Sequence, residues 1–128
     1  MYADDEEALE LDGEYVDAAA EVFSMLADAT RIRIVLALGD EELSVSQLAG
    51  LLRKQPATVS QHLAKLRLAR MVSTRKDGTR VFYRLANKHA RTLVAESIFQ
   101  AEHALEDVPP HHRDTAIPAP RERAPGDA

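Results

Sequence analysis

The chain of 128 residues contains no cysteine. Disulfides, thiolate-held metals and thiol nucleophiles are therefore excluded at the outset. It also lacks any long apolar run. The longest, Ile34 to Leu38, is far short of the roughly 20 residues a bilayer-spanning helix needs. The first residues include Asp4, Asp5, Glu6 and Glu7, the wrong charge for a secretory leader, so a soluble, cytoplasmic protein with no membrane partner is expected. There is no His-Glu-x-x-His run and no pairing of a nucleophile with a base, so an enzyme is not expected. The most telling shortage is local. Between Arg53 and Arg91 the chain places one of its twenty-one acidic side chains and eleven of its sixteen basic ones. A solvated face normally mixes signs, and this block does not. On a chain of net charge −5, such a block is the electrostatic footprint of a nucleic-acid site, with the acidic remainder keeping other faces off the phosphates.

What is present reads as one domain. Residues 1–13 are acidic, poor in apolar groups and end at Gly13, which predicts a flexible arm. From Tyr15 the pattern turns helical, with Val16, Ala19, Ala20, Phe23 and Leu26 or Ala27 at three- and four-residue spacings. Asp28 is suited to cap a second helix running to about Leu38 and closed by Gly39-Asp40. Ser44 and Gln47 fit a capping box that opens a short third helix, with Val45, Leu48, Leu51 and Leu52 inward. Pro56 suits the first turn of a fourth helix, whose buried stripe is Val59, Leu63 and Leu66 and which ends between Arg67 and Met71. Val72 to Arg75 and Val81 to Leu85 read as two strands joined through the Asp77-Gly78 hairpin signal. Asn87 can cap a last helix to about Glu106, with Leu93, Val94, Ile98, Ala101 and Leu105 apolar. The fold class is thus mainly α with a small β-hairpin, in a domain spanning 14–107. Residues 108–128 hold five of the six prolines and are expected to form a flexible tail.

This order of elements is a winged helix-turn-helix. Residues 44–52 and 56–70 form the helical pair and 72–85 the wing. In such units the second helix enters the major groove of double-stranded DNA by its N-terminal part. The candidate contacts there are Ala57, Thr58, Ser60, Gln61 and Lys65, flanked by Lys54, Gln55 and Arg67. Gln61 can pair bidentately with adenine, and Ser60 or Thr58 can serve a base or a phosphate. Arg75, Lys76 and Arg80 on the wing would meet phosphates or a minor groove. His62, one turn from Val59 and Leu66, reads as a half-buried packing or phosphate-bonding group rather than a base reader.

Four segments carry a family resemblance: Leu26 to Ile34, Glu42 to Ala49, Val59 to Leu66 and Gly78 to Leu85. Together they resemble the ArsR/SmtB family of metal-responsive repressors over roughly residues 20–106. The resemblance implies a homodimer, joined through the first and last helices, that represses an inverted-repeat operator and leaves it when an inducer binds. It also implies that Ser60 and Gln61 contact bases.

One metal site of that family uses a Cys-Val-Cys segment at the third helix. Here it reads Ser44-Val45-Ser46, and hydroxyls replace thiolates poorly. The other lies on the last helix, pairing ligands near its start on one subunit with ligands near its end on the other. His89 and His103 are fourteen residues apart, on nearly one face (about 40° off) but ~21 Å apart along a helix. They cannot share an ion within one chain, whereas two antiparallel helices crossing near Glu96 would bring them together. The family's usual pattern begins Asp-x-His with a further histidine eleven residues on; here those positions are Asn87 and Gln100. Glu102 can substitute, although adjacent Glu102 and His103 diverge by ~100° unless the helix end distorts. His111 and His112 follow closely enough to fold back. The set His89, Glu102, His103, His111 and His112 is similar to that of an actinobacterial nickel/cobalt-sensing subgroup, which shares the opening Met1-Tyr2-Ala3-Asp4 and Met25 to Arg31. Nitrogen and oxygen donors in this number suit Ni(II) or Co(II), with Zn(II) as the alternative inducer. A regulator of the same fold answering to a non-metal signal or to none, and a structural nucleoid-type binder, are the other readings.

Overall fold

A computed structural model describes residues 9–106. Two helices open it, α1 (Val16–Leu26) and α2 (Ala29–Leu38). Asp28 caps α2 as expected, its carboxylate accepting the Arg31 N–H at 3.0 Å. Gly39, at φ 49° and ψ −117°, ends it in a conformation that a residue with a Cβ adopts only under strain. The capping box forms with both of its bonds. Ser44 Oγ accepts the Gln47 N–H at 3.2 Å, and Gln47 Oε1 accepts the Ser44 N–H at 2.8 Å, starting α3 (Val45–Leu52). Pro56 stands first in α4 (Pro56–Leu68), where its missing N–H leaves no bond unmade. The last helix, α5 (His89–Glu106), begins with the Asn87 side chain accepting the His89 N–H at 2.9 Å.

The sheet has three antiparallel strands in the order β1-β3-β2, from β1 (Leu43–Ser44), β2 (Val72–Asp77) and β3 (Arg80–Leu85). β1 was not expected. Its two residues become a strand only by pairing with Phe82 and Tyr83 of β3. The wing strands are also longer than predicted, because Asp77 pairs with Arg80. The two-residue loop is therefore Gly78-Thr79. Gly78 at φ 64° occupies its first position and no positive φ follows, the pattern of a type II′ turn.

The core gathers Ile34, Val35 and Leu38 of α2, Leu48 of α3, Val59, Leu63 and Leu66 of α4, and Val94 of α5, each completely or almost completely buried. Leu51, expected inward, is 64% exposed. Leu48, Leu52, Val45 and Ala49 span one arc of α3, and Leu51 lies about 110° from its centre at ~100° per residue. α1 departs further. Of its predicted inward positions, Leu26 is buried, while Val16, Ala19, Ala20 and Phe23 are exposed. On α5, Ala90 and Val94 are buried and Leu93 and Ile98 pack against the core, but Ala101 is exposed and so is Phe99. Both outer helices thus carry apolar groups that are exposed among the described residues.

The capping box makes a direct prediction. Ser44→Ala should lower stability by about 1 kcal/mol. Urea unfolding should register this as a lower midpoint with an unchanged slope.

Candidate nucleic-acid interface and metal-ligating residues

The rotation of α4 about its axis is set by Val59, Leu63 and Leu66, all fully buried. Ala57, Ser60, Gln61 and Lys65 consequently face solvent, together with Ala64, Arg67 and Leu68, while Thr58 is half-buried. Gln55 stands exposed at the start of the helix, beside half-buried Lys54. Four of the predicted contacts thus share one outward surface. Leu68, 84% exposed, lies on it as an apolar member that was not anticipated.

His62 is drawn the other way. Its Nδ1 accepts the Arg31 Nε–H at 3.1 Å and lies 3.9 Å from the Asp28 carboxylate. The same guanidinium donates through Nη1 to the Met25 carbonyl at 3.1 Å and approaches the Met25 sulfur at 3.3 Å. Arg31 therefore ties the end of α1, the start of α2 and the middle of α4 at one point. A recess lined by Asp28, Ala29, Thr30, Lys54, Gln55, Thr58 and His62 opens beside it. Burial pushes the His62 imidazole below its ordinary value; Asp28 opposes the shift, and Arg31, Lys65 and Lys54 reinforce it. Burial acts on Asp28 in the opposite sense to its net shift. The Arg31 N–H, the His62 charge, the Thr30 N–H and the Arg31 charge together hold that carboxyl below the usual range.

On the wing, Arg75 and Arg80 flank the Phe82 ring, each guanidinium 5.0 Å from its centroid. Arg75 also forms a double hydrogen bond from Nε to Glu42 (3.0 and 3.2 Å), with Nη2 3.0 Å from the same carboxylate. Arg80 reaches Ser44 Oγ at 3.5 Å. An exposed pair of this kind contributes at most about 1 kcal/mol, so a phosphate can compete for Arg75. Lys76 is exposed and has no hydrogen bond or ion pair among the described residues. Neither the Glu42 pair nor the Arg31–His62 link had a signal in the sequence, since each joins residues more than thirty positions apart.

The candidate metal ligands among the described residues are not brought together. His89 is the first residue of α5, His103 lies in its last turn and Glu102 just before it; all three are exposed. Fourteen residues of unbroken helix keep His89 and His103 ~21 Å apart. The helix stays regular through Glu106, so Glu102 and His103 diverge without the distortion that joint ligation would need. Among the described residues, no group of three or more His, Asp or Glu side chains converges. His111 and His112 lie outside the described residues. No described helix is long and apolar enough to cross a membrane.

The family model for bacterial regulatory proteins of the arsR family matches residues 28–74, which covers α2, the helix-turn-helix and the start of the wing. The HTH-type transcriptional regulator KmtR of Mycobacterium tuberculosis is 53% identical over 103 residues, 80% of this chain and 79% of that protein. The HTH-type transcriptional repressor SmtB of the same species is 38% identical over 94 residues, 73% of this chain and 67% of that protein. Among solved structures, the homodimeric winged helix-turn-helix DNA-binding domain of a possible ArsR-family transcriptional regulator from Mycobacterium bovis superposes with a TM-score of 0.64. It is 30% identical and covers 73% of this chain and 86% of that one.

The Arg31 link carries a pH prediction. His62 must be neutral to accept at Nδ1, and its folded value lies below the unfolded reference of 6.5. The unfolded chain therefore binds the proton first. The contribution is present in full above 6.5 and is lost as pH falls from there through the folded value. Urea unfolding between about pH 7.5 and pH 5 should show stability falling in acid, with a shallower fall in His62→Asn.

Proposed function

The chain belongs to the ArsR family of bacterial regulatory proteins, and from that premise we propose a metal-sensing repressor that binds an inverted-repeat operator as a homodimer and is released by Ni(II) or Co(II). It is a DNA-binding transcriptional regulator, not an enzyme. Each α4 enters a major groove by its N-terminal half, the two grooves lying one helical turn apart. Gln61 pairs with adenine, Ser60 and Thr58 serve a base edge or phosphate, and Ala57 is small enough to let the helix approach closely. Lys54, Gln55, Lys65 and His62 border that surface, and Arg75, Lys76 and Arg80 bring the wing to the backbone.

One observation carries the metal reading: His89 and His103 are both exposed at opposite ends of one unbroken helix whose Phe99 is also exposed. Two copies of α5 crossing antiparallel near Glu96 set His89 against the partner's His103, the partner's Glu102 joining only once that helix end distorts, and the two-fold makes two equivalent sites. The same association covers Phe99 and the α1 groups Val16 and Phe23. Imidazole nitrogens and a carboxylate, with no thiolate, fit Ni(II) or Co(II), and His111 and His112 can raise the donor number beyond the four that Zn(II) prefers. Ligands drawn together across the seam change the angle between subunits, so that the two α4 helices no longer match the operator spacing. DNA and metal then weaken each other by the same factor, typically ~1–3 kcal/mol.

The separation of His89 from His103 within one chain favours a second reading, a regulator of this fold that answers to another signal. Operator release measured by gel shift at matched free Ni(II), Co(II) and Zn(II) decides between them. Release by Ni(II) or Co(II) in the wild type, abolished in a His89→Ala, His103→Ala double variant, is the expected result. Affinity indifferent to all three ions, or equal metal uptake by both proteins in titration calorimetry, selects the second reading. On the DNA side, Gln61→Ala should cost about 1–3 kcal/mol of operator affinity and relax discrimination at one base pair, read by competition with single-base variants.

A further inference from the structure

Four described residues adopt a positive φ. Gly39 and Gly78 do so at 49° and 64°, as expected of glycine. The other two are arginines, Arg53 at φ 57° and Arg70 at φ 60°. Each follows a helix of the helix-turn-helix. Arg53 ends α3, with the Lys54 N–H donating to the Ala49 carbonyl at 3.1 Å. Arg70 follows α4, with the Met71 N–H donating to Leu66 and the Arg70 N–H to Arg67, both at 2.9 Å. These closures are the Schellman type, in which the left-handed position favours glycine, because a Cβ there crowds the following carbonyl. Among the described residues, glycine thus stands at two of the positive-φ positions and a large cation at the two that bracket α4.

Packing does not account for either side chain. Both are exposed, and neither guanidinium has a hydrogen bond, ion pair or ring contact among the described residues. Of the other arginines in the basic block, Arg75, Arg80, Arg84 and Arg91 have such contacts, and Arg67, on the helix with ordinary backbone, has none. Arg70 shares a recess of about 620 Å³ with Ser60, Ala64, Arg67, Leu68 and Tyr83, which puts it on the outward face of α4 alongside Ser60. Backbone conformations of this kind are retained where another requirement over-rides the local preference.

We infer that Arg53 and Arg70 are phosphate contacts, one at each end of the reading helix, that hold α4 across the major groove from its two edges. The thirteen residues of α4 span ~20 Å, enough to cross a groove ~12 Å wide and reach the backbone on either side. The inference rests on the DNA-binding reading and is independent of any metal.

The test compares full-length wild type with Arg53→Gly, Arg70→Gly and the two arginine-to-lysine variants. Thermal melting is read alongside the salt dependence of binding to mixed-sequence duplex DNA. Each glycine variant should melt no lower than the wild type, with a rise of about 2–5 °C expected from the relaxed backbone. Each should also lose about 0.9 from the slope of log K against log salt for every phosphate contact removed, twice that for a two-fold dimer. The lysine variants should keep most of the slope. A glycine variant that melts several degrees lower with its slope intact assigns the arginine to stabilising the helix end, and overturns the inference. Glycine-variant slopes equal to that of a wild type that binds duplex DNA overturn it as well. A wild type with no salt-dependent binding overturns the DNA-binding reading and the inference with it.

Discussion

Val59, Leu63 and Leu66 are buried without remainder against the helices before them, and every statement about how this chain meets DNA depends on that burial. Positions four and three residues apart fix one stripe of α4 inward and leave no freedom to turn the helix about its axis. Ser60, Gln61 and Lys65 face out because these three face in. Burying each aliphatic side chain contributes roughly 1.5–3 kcal/mol, so turning the helix by even one position would forfeit more than any single contact to DNA returns. Specificity is in this sense a by-product of core packing.

A second constraint acts from the side. The Arg31 guanidinium joins the Met25 carbonyl to the His62 ring, so α4 is located by a directional polar contact as well as by apolar packing. Apolar packing tolerates small slides that a hydrogen bond at 3.1 Å does not. The arrangement also explains how a histidine sits so near a basic surface. Burial first, then the charges of Arg31, Lys65 and Lys54, lower the affinity of this ring for a proton against the opposing pull of Asp28, and its Nδ1 is occupied as an acceptor. The field comes from side chains that the fold leaves unpaired, while Glu42 and Asp40 partly neutralise Arg75 and Arg91 at the margins.

What could be read in the sequence was what is settled within a few residues. Asp28 and the Ser44–Gln47 box act over three positions, and Pro56 over one, so the helix starts followed directly. The stripe of α4 followed from spacing alone. Leu51 did not, because a run of leucines on an eight-residue helix leaves the centre of its inward arc open until its neighbours are in place. β1 escaped notice for a related reason: two residues carry no strand signal of their own and acquire one from β3. The exposed charges of Arg75 to Asp77 likewise concealed the length of the wing. On α1 the spacing of Val16, Ala19, Ala20 and Phe23 announced an apolar stripe correctly but said nothing about what covers it, and within one chain nothing described does. His89 and His103 are the extreme case. Their separation can be computed from helix geometry, whereas the convergence proposed for them requires a second chain.

That distinction bears on how a signal at α5 can reach the DNA. α5 packs on α2, and α2 packs on α4 and holds it through Arg31. A close-packed core of this kind moves as a body, because separating its layers opens cavities whose cost exceeds the displacement being transmitted. An allosteric coupling of ~1–3 kcal/mol is smaller than the combined burial of the three α4 side chains, so it can neither unseat nor rotate that helix within its subunit. It is large enough to alter the relation between two subunits, whose shared surface is the exposed apolar face of α1 and α5 on the reading proposed above. Since an inverted repeat requires two reading helices one helical turn apart, a small change in that relation is amplified at the far ends of the dimer. Rigid subunits that move against each other are therefore the favoured switch for this chain, and a melting or twisting α4 is the disfavoured one.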